Sequence, residues 1–217
     1  MTDLSVTVVA ASLSRHLPLY RRRKPVYQTV LLNSLLEVLE STDRALLDIG
    51  GGTGVLAQAI RDLFPIDRIA SVDVVDRFAP TLSIETRTFD GRNLPFQDGT
   101  YDAGLLVNVL HHVPLEERIH LLREISRVTG SGRIYIKDHL STGRFDDVRL
   151  AVLDFLGNMP FHGMVRAWYL RQADWDQLAH ETGYAIEMVP SRCYRAGLMG
   201  WLFPNRLEIT MRWRASR

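Results

Sequence analysis

The chain has 217 residues, with 26 Lys and Arg against 25 Asp and Glu for a net charge of +1; 46% of the residues are hydrophobic and 24% charged. That length is enough to bury a sizeable core in one α/β unit, and the ordinary composition excludes a disordered or fibrous chain. Cys193 is the only cysteine, which excludes an intrachain disulfide and leaves it no cysteine partner for a metal site. No apolar run approaches the length of a membrane span, the N-terminal residues lack the pattern of a secretory signal, and near-neutrality gives no global pull toward nucleic acid. A cytoplasmic protein is the simplest expectation.

In chain order, Arg21, Arg22, Arg23 and Lys24 form a basic block before Pro25. The block reads either as a solvated helix edge or as a contact for an anionic partner, such as an acyl- or peptidyl-carrier protein, a nucleotide or a membrane surface. Aromatic residues do not interleave with it, so no nucleic-acid platform is expected. Residues 26–39 (VYQTVLLNSLLEVL) carry apolar side chains at helical spacing, and Pro25 suits a helix start.

Residues 46–57 read LLDIGGGTGVLA. Leu46, Leu47 and Ile49 make a short strand holding Asp48, the glycines turn the chain, and residues 55–64 carry a helical pattern. Strand, glycine turn and helix seat a nucleotide-like cofactor at a helix N-terminus. Further strands are expected at 69–74, 84–89, 103–107 and 134–137, alternating with helices, which predicts a parallel sheet with right-handed crossovers. Residues 141–171 then delay the next unit. A last helix at 174–182, a strand at 185–189 and a final strand at 207–213 complete the chain, and Arg206, Arg212, Arg214 and Arg217 add a second basic cluster. No internal repeat, low-complexity tract or linker divides it.

Two cofactors fit the glycines. Residues 52–57 satisfy G-x-G-x-x-A, with Asp73 about twenty residues on to hold a dinucleotide's ribose. A pyrophosphate, however, wants a positive field, and Asp48 sets a carboxylate at the strand end. S-adenosylmethionine has no phosphate, and its ammonium group suits an acid-bearing loop.

LLDIGGGTG resembles the first motif of class I S-adenosylmethionine-dependent methyltransferases of the small-molecule, methyltransferase-11-like type. The resemblance continues through IASVDV at 69–74, FDGRNLPF at 89–96, YDAGLLVNVLHHV at 101–113 and LLREISRVTGSGRIYIKDH at 121–139, in that family's order and spacing. It implies a Rossmann-like fold: seven strands, mostly parallel, one antiparallel near the C-terminus, with helices on both faces. It divides one domain into an N-terminal helical cap (1–45), a cofactor-binding core (46–140), a substrate lid (141–172), and a last helix with the C-terminal strands (173–217). It implies S-adenosylmethionine as cofactor and S-adenosylhomocysteine as product. Asp48, Gly50, Gly51, Gly52 and Gly54 would form the loop, and Asp73 would take the ribose hydroxyls. Asp90 and Gly91 would take the adenine edge, and Asn108 the methionine part.

The sulfonium is already a strong electrophile, so the protein must mainly align an acceptor and exclude water; a hydroxyl acceptor also benefits from a base. HHVPLEE resembles the HDW-type segment of methyltransferases acting on small-molecule hydroxyls, matching at His111 and Glu116, with His112 and Val113 in place of Asp-Trp. His111 is the first candidate base, and holding the loop is its other reading. His139, closing the fifth strand after Asp138, is the second candidate. In the lid, His162, Arg166 and Tyr169 are candidate acceptor contacts, while Leu150, Val152, Leu153, Phe155 and Leu156 are expected to pack on the core. An apolar lid with few charges favours a small hydrophobic or aromatic acceptor, and O-methylation. N- or C-methylation of a small molecule or carrier-bound intermediate, or binding of S-adenosylmethionine without turnover, are the alternatives. No metal-ligand constellation stands out, and oligomeric state is not legible.

Overall fold

The computed structural model describes residues 2–130, 132–158, 166–189 and 192–216. Seven strands run β1 (Ala45–Ile49), β2 (Arg68–Asp73), β3 (Glu85–Thr88), β4 (Ala103–Val107), β5 (Arg133–His139), β6 (Tyr184–Val189) and β7 (Glu208–Ala215). They form one sheet in the order β3-β2-β1-β4-β5-β7-β6. The first five are parallel to one another, and β7 runs antiparallel to both β5 and β6. The expected strands are all present, and the final one has the expected direction.

Side-chain alternation along the strands sorts the core into two layers. Leu46, Ile69, Leu105 and Tyr135 share one apolar cluster with α1 (Val6–Leu13), α2 (Val26–Val38) and α3 (Val55–Leu63). Leu47, Ile49, Val72, Leu106 and Ile136 share the other with α4 (Leu115–Val128) and α6 (Gln172–Thr182). Burying each of these side chains contributes about 1.5–3 kcal/mol relative to exposure. Helix α1 lies where periodicity placed no element; the Ser5 side chain accepts from the Val8 N–H and caps it.

Helix α5 (Arg144–Asn158) follows β5 and reverses the expected polarity of the lid. Its inward side carries Asp146, Leu150 and Asp154, each less than a tenth exposed. Val152, Phe155 and Leu156, expected in the core, are 42%, 51% and 53% exposed, and Phe145 and Val148 also face outward. Two carboxylates face inward because each finds partners there. Arg206 and the Thr142 hydroxyl meet Asp146, while Tyr169 and two histidines meet Asp154. A buried charge is tolerated only when paired in this way.

The C-terminal arginines are also paired rather than forming a free basic cluster. Arg206 meets Asp146 at 2.7 Å, Arg212 meets Glu187 at 2.6 Å and Glu40 at 2.8 Å, and Arg214 meets Glu40. Arg217 lies outside the described residues. Helix α7 (Gly197–Leu202) completes the elements and leaves Leu198 and Trp201 largely exposed.

Candidate active site

The strand order turns back between β1 and β4, since β2 and β3 build to one side and β5 to the other. In open α/β sheets the crevice at the carboxyl ends of the strands, at that switch point, is where ligands bind. The loops after β1, β2 and β4 all open there.

The loop after β1 is pinned from below. The Gly50 and Gly51 N–H groups both donate to the Val72 carbonyl, at 2.7 and 3.1 Å. Gly51 has no room for a side chain: a Cβ would stand 1.9 Å from Ser71 Oγ and 2.1 Å from Asp48 Oδ2. Asp48 therefore lies beneath the loop, only 2% exposed, accepting from Ser71 Oγ at 2.7 Å. Burial pushes its carboxyl up to about 7, against the Ser71 hydrogen bond. Gly52 is the opposite case. It adopts φ +60° and looks into open space, where a Cβ would meet only Arg77 Nε at 3.9 Å.

Asp73 ends β2 beside this loop. Its Oδ2 accepts from the Gly52 N–H at 2.7 Å and pairs with Arg77 at 3.4 Å, and its Oδ1 accepts from the Val75 N–H at 3.0 Å. Asp90, exposed after β3, accepts from the N–H groups of Arg92 and Asn93 and from Asn93 Nδ2, at 2.7–2.8 Å. These bonds hold it down at about 2, and Gly91 turns the chain at φ +83°.

Asn108, just past β4, is the one non-glycine among the described residues with positive φ, at 55°. Its N–H donates to the Lys137 carbonyl at 2.7 Å, and its Nδ2 donates to Tyr27 Oη of α2 at 2.8 Å. Its Oδ1 is buried without a hydrogen-bond partner. Backbone strain of this kind persists where the surroundings hold it, typically at ligand sites. The N-terminal helical segment thus reaches the crevice through Tyr27.

Behind Asn108 lies a buried histidine–carboxylate cluster. His111, in the 3₁₀ turn Leu110–His112, is fully buried. Its Nδ1 bonds to Asp138 Oδ1, and its Nε2 is 3.3 Å from Asp154 Oδ2. Asp138 also accepts from the Leu110 and His139 N–H groups, at 3.0 and 2.7 Å. Burial opposes a charge on His111, but the two carboxylates outweigh it and push the imidazole up to about 9. The same pairing holds Asp138 and Asp154 well below the ordinary carboxylate range in spite of their burial.

His139 Nε2 lies 3.1 Å from Asp154 Oδ1, and its Nδ1 is buried without a partner. The Tyr169 hydroxyl donates to Asp154 Oδ2 at 2.5 Å, and its ring stacks on His111 at 5.6 Å. Outside the cluster, a groove of about 600 Å³ is lined by Leu115, Val148, Ala151, Trp168 and Tyr169, with Arg118, Asp147 and Asp174 among its polar groups.

The predicted residues therefore fall into two sets, one around the glycine loop and one in the cluster. His111, His139 and Tyr169 come together in the second set. Arg166 is exposed; its guanidinium lies 4.6 Å over the Trp168 ring and its carbonyl meets His112 Nδ1 at 2.8 Å. His162 lies outside the described residues. Sequence reasoning missed Tyr27 and Asp154, and also Arg118, which is buried and ties the Val113 and Trp168 carbonyls together at 3.0 Å each. The spacing of Asp146, Leu150 and Asp154 along one helix face was the available signal for the acid.

Residues 47–136 match the family model described as a methyltransferase domain. No curated protein matches the chain in sequence. Among solved structures, the chain is similar to one from the complex between the Haloferax volcanii Trm112 methyltransferase activator and a methyltransferase, with 14% identity over 100% of both chains and a TM-score of 0.66. It is similar to the YcgJ protein of Bacillus subtilis, with 14% identity over 87% of this chain and 98% of that one and a TM-score of 0.65. Human N-acetylserotonin methyltransferase, solved in complex with S-adenosylmethionine, gives 17% identity over 100% of this chain and 61% of that one, with a TM-score of 0.62. At these identities the structural likeness is one of fold.

Proposed function

We propose that the chain is a class I S-adenosylmethionine-dependent methyltransferase, a reading supported by the methyltransferase-domain match over residues 47–136, and that it moves the methyl group to a small hydrophobic or aromatic acceptor, with a hydroxyl oxygen as the favoured receiving atom. The observation that carries this reading is the pairing of an open glycine face with an orphaned acceptor. Gly52 leaves free the space that any side chain would fill, and Asn108 Oδ1 is buried with no donor. A cofactor bearing an ammonium group fits both.

In this reading Gly50, Gly51, Gly52 and Gly54 cradle the cofactor, with Asp48 supporting the loop from beneath. Asp73 takes the ribose hydroxyls, Asp90 and Gly91 the adenine edge, and Asn108 the ammonium group. The bound cofactor supplies a sulfonium methyl that needs no further activation. The protein's own task is alignment and exclusion of water. The groove beside Tyr169, walled by Leu115, Val148, Ala151 and Trp168, suits a flat apolar acceptor better than a polar polymer.

A hydroxyl acceptor has to lose a proton. Between the two candidate bases the geometry favours His139: Asp154 engages its Nε2 and leaves Nδ1 with a lone pair. His111, charged between two carboxylates, acts as a positioning residue that ties β4 and β5 to α5. A carrier-bound acceptor is the second reading, supported by Arg21, Arg22, Arg23 and Lys24. All four are exposed, and no ion pair forms on them among the described residues.

The test is calorimetric titration with S-adenosylmethionine, followed by methyl-labelled cofactor and a panel of phenols and aromatic amines. Asp73→Ala should abolish cofactor binding; retained binding removes the cofactor assignment. Transfer to amines alone replaces oxygen by nitrogen, and tight binding with no transfer leaves a binding module. Once an acceptor is known, His139→Ala should lower turnover while S-adenosylmethionine affinity holds; native turnover in His139→Ala removes it as the base.

A further inference from the structure

The methyl-transfer reading makes no use of His112. Its position beside His111 and Asp154 has a meaning of its own. One ring nitrogen from each histidine and one carboxylate oxygen of Asp154 lie within 4.8 Å of one another. The 3₁₀ turn puts the two consecutive rings side by side, with centroids 4.0 Å apart.

The far nitrogen of each ring is already engaged by an oxygen. His111 Nδ1 meets the Asp138 carboxylate, and His112 Nδ1 meets the Arg166 carbonyl at 2.8 Å. A carbonyl only accepts, so His112 Nδ1 carries the hydrogen and its Nε2 keeps a lone pair. An oxygen acceptor on one ring nitrogen, with the other directed at an ion, is how proteins orient metal-binding imidazoles.

The third group completes the pattern. His111 Nε2 lies 3.3 Å from Asp154 Oδ2 without hydrogen-bond geometry, and an ion binding between them displaces the Nε2 proton to solvent, leaving His111 neutral with its Nδ1–H on Asp138. Two ligands each about 2.0–2.1 Å from a tetrahedral ion stand about 3.3 Å apart, so the spacing is that of two corners of one coordination shell. The other Asp154 oxygen is held by His139 Nε2 at 3.1 Å, which fixes the carboxylate.

We propose that His111, His112 and Asp154 form a binding site for a divalent transition-metal ion of the zinc type, with Asp138 and the Arg166 carbonyl as the outer groups that orient the rings. Two imidazoles and one carboxylate are a borderline donor set that suits zinc and its neighbours better than magnesium or calcium. His112 closes the remaining gap by a small ring movement, which its half-exposed position allows. Bound there, the ion fastens α5 to the turn after β4. Three protein ligands leave a fourth position, and its use as a Lewis acid toward an acceptor hydroxyl rests on the methyl-transfer reading; the site itself does not.

Chelator-stripped protein is titrated with zinc alone by calorimetry, and with cobalt alone followed by visible absorption. One ion per chain and the intense cobalt bands of a tetrahedral site are expected. His112→Ala, at a half-exposed position, should keep its circular dichroism and weaken zinc binding more than about 10-fold. Asp138→Asn should weaken it by about 10–100-fold. Absence of saturable binding at one ion per chain, or wild-type affinity in His112→Ala, overturns the site. S-adenosylmethionine binding, measured on the same metal-free samples, reports separately on the methyltransferase reading.

Discussion

Replacing Gly51 and Gly52 in turn by alanine separates what the glycine loop does for the fold from what it does for the ligand. In Gly51→Ala the new methyl would sit 1.9 Å from Ser71 Oγ and 2.1 Å from Asp48 Oδ2, the two ends of one buried hydrogen bond. Forcing them apart combines overpacking of about 1–3 kcal/mol with about 1–3 kcal/mol for parted buried polar groups. A cost of about 3 kcal/mol lowers the Tm by roughly 6–12 °C in a chain of this size.

Gly52→Ala meets nothing closer than Arg77 Nε at 3.9 Å, so its cost is that of alanine at positive φ, about 1–2 kcal/mol. Its methyl, however, projects into the face assigned to the cofactor, and affinity for S-adenosylmethionine should fall by at least about 100-fold, or about 2.7 kcal/mol. Thermal unfolding and calorimetry on both variants check the contrast. Native affinity in Gly52→Ala would refute the placement of the cofactor, and an unchanged Tm in Gly51→Ala would refute the packing beneath the loop.

Asp48 makes stability depend on pH. Its folded pKa of about 7 lies above the unfolded value, so its contribution is fully present in acid and is lost as pH rises through about 7. Asp48→Asn should therefore gain on wild type between pH 5 and pH 8, by on the order of 2 kcal/mol; a difference in urea stability that ignores pH would contradict it. Asn108→Gly relieves positive φ but gives up the Tyr27 hydrogen bond, two effects of about 1 kcal/mol each. Its Tm should barely move while S-adenosylmethionine affinity falls about 10-fold or more by calorimetry; unchanged affinity would remove Asn108 from the cofactor site. Asp154→Asn strips a buried carboxylate from three partners and should cost about 3–5 kcal/mol. Hydrogen exchange should then accelerate across α5 before it does in β1 or β4, and a uniform acceleration would argue against a local role.

The strands were legible because each announces itself locally: apolar runs such as residues 46–49 and 103–107 are followed by turn residues, and the acids Asp48 and Asp73 keep their distance from the glycines. What was hidden depends on partners remote in sequence. Nothing local marks Asp154 as buried; His111 and His139 meet it from segments that follow β4 and end β5. The apolar residues of α5 drew the reading inward, but the ion pairs of Asp146 and Asp154 decided which side is buried. Tyr27 and Asn108 are 81 residues apart and meet only because α2 crosses the sheet end. His112 stands inside the HHVPLEE segment, but its partners were hidden, because they are a carbonyl and a carboxylate supplied by other segments.

Helix α5 is seated by its acids while Phe145, Val148, Phe155 and Leu156 already touch solvent. Unseating it would uncover carboxylates, imidazoles and Leu150, with less new hydrocarbon than a helix buried by an apolar stripe. The sensitivity of an opening to urea follows the surface it exposes, and its heat capacity follows the apolar part. Detachment of this helix should therefore respond only weakly to denaturant and to temperature. It responds instead to acidity and to whatever binds its carboxylates, so the cover of the groove and the stability of the whole domain can be adjusted independently.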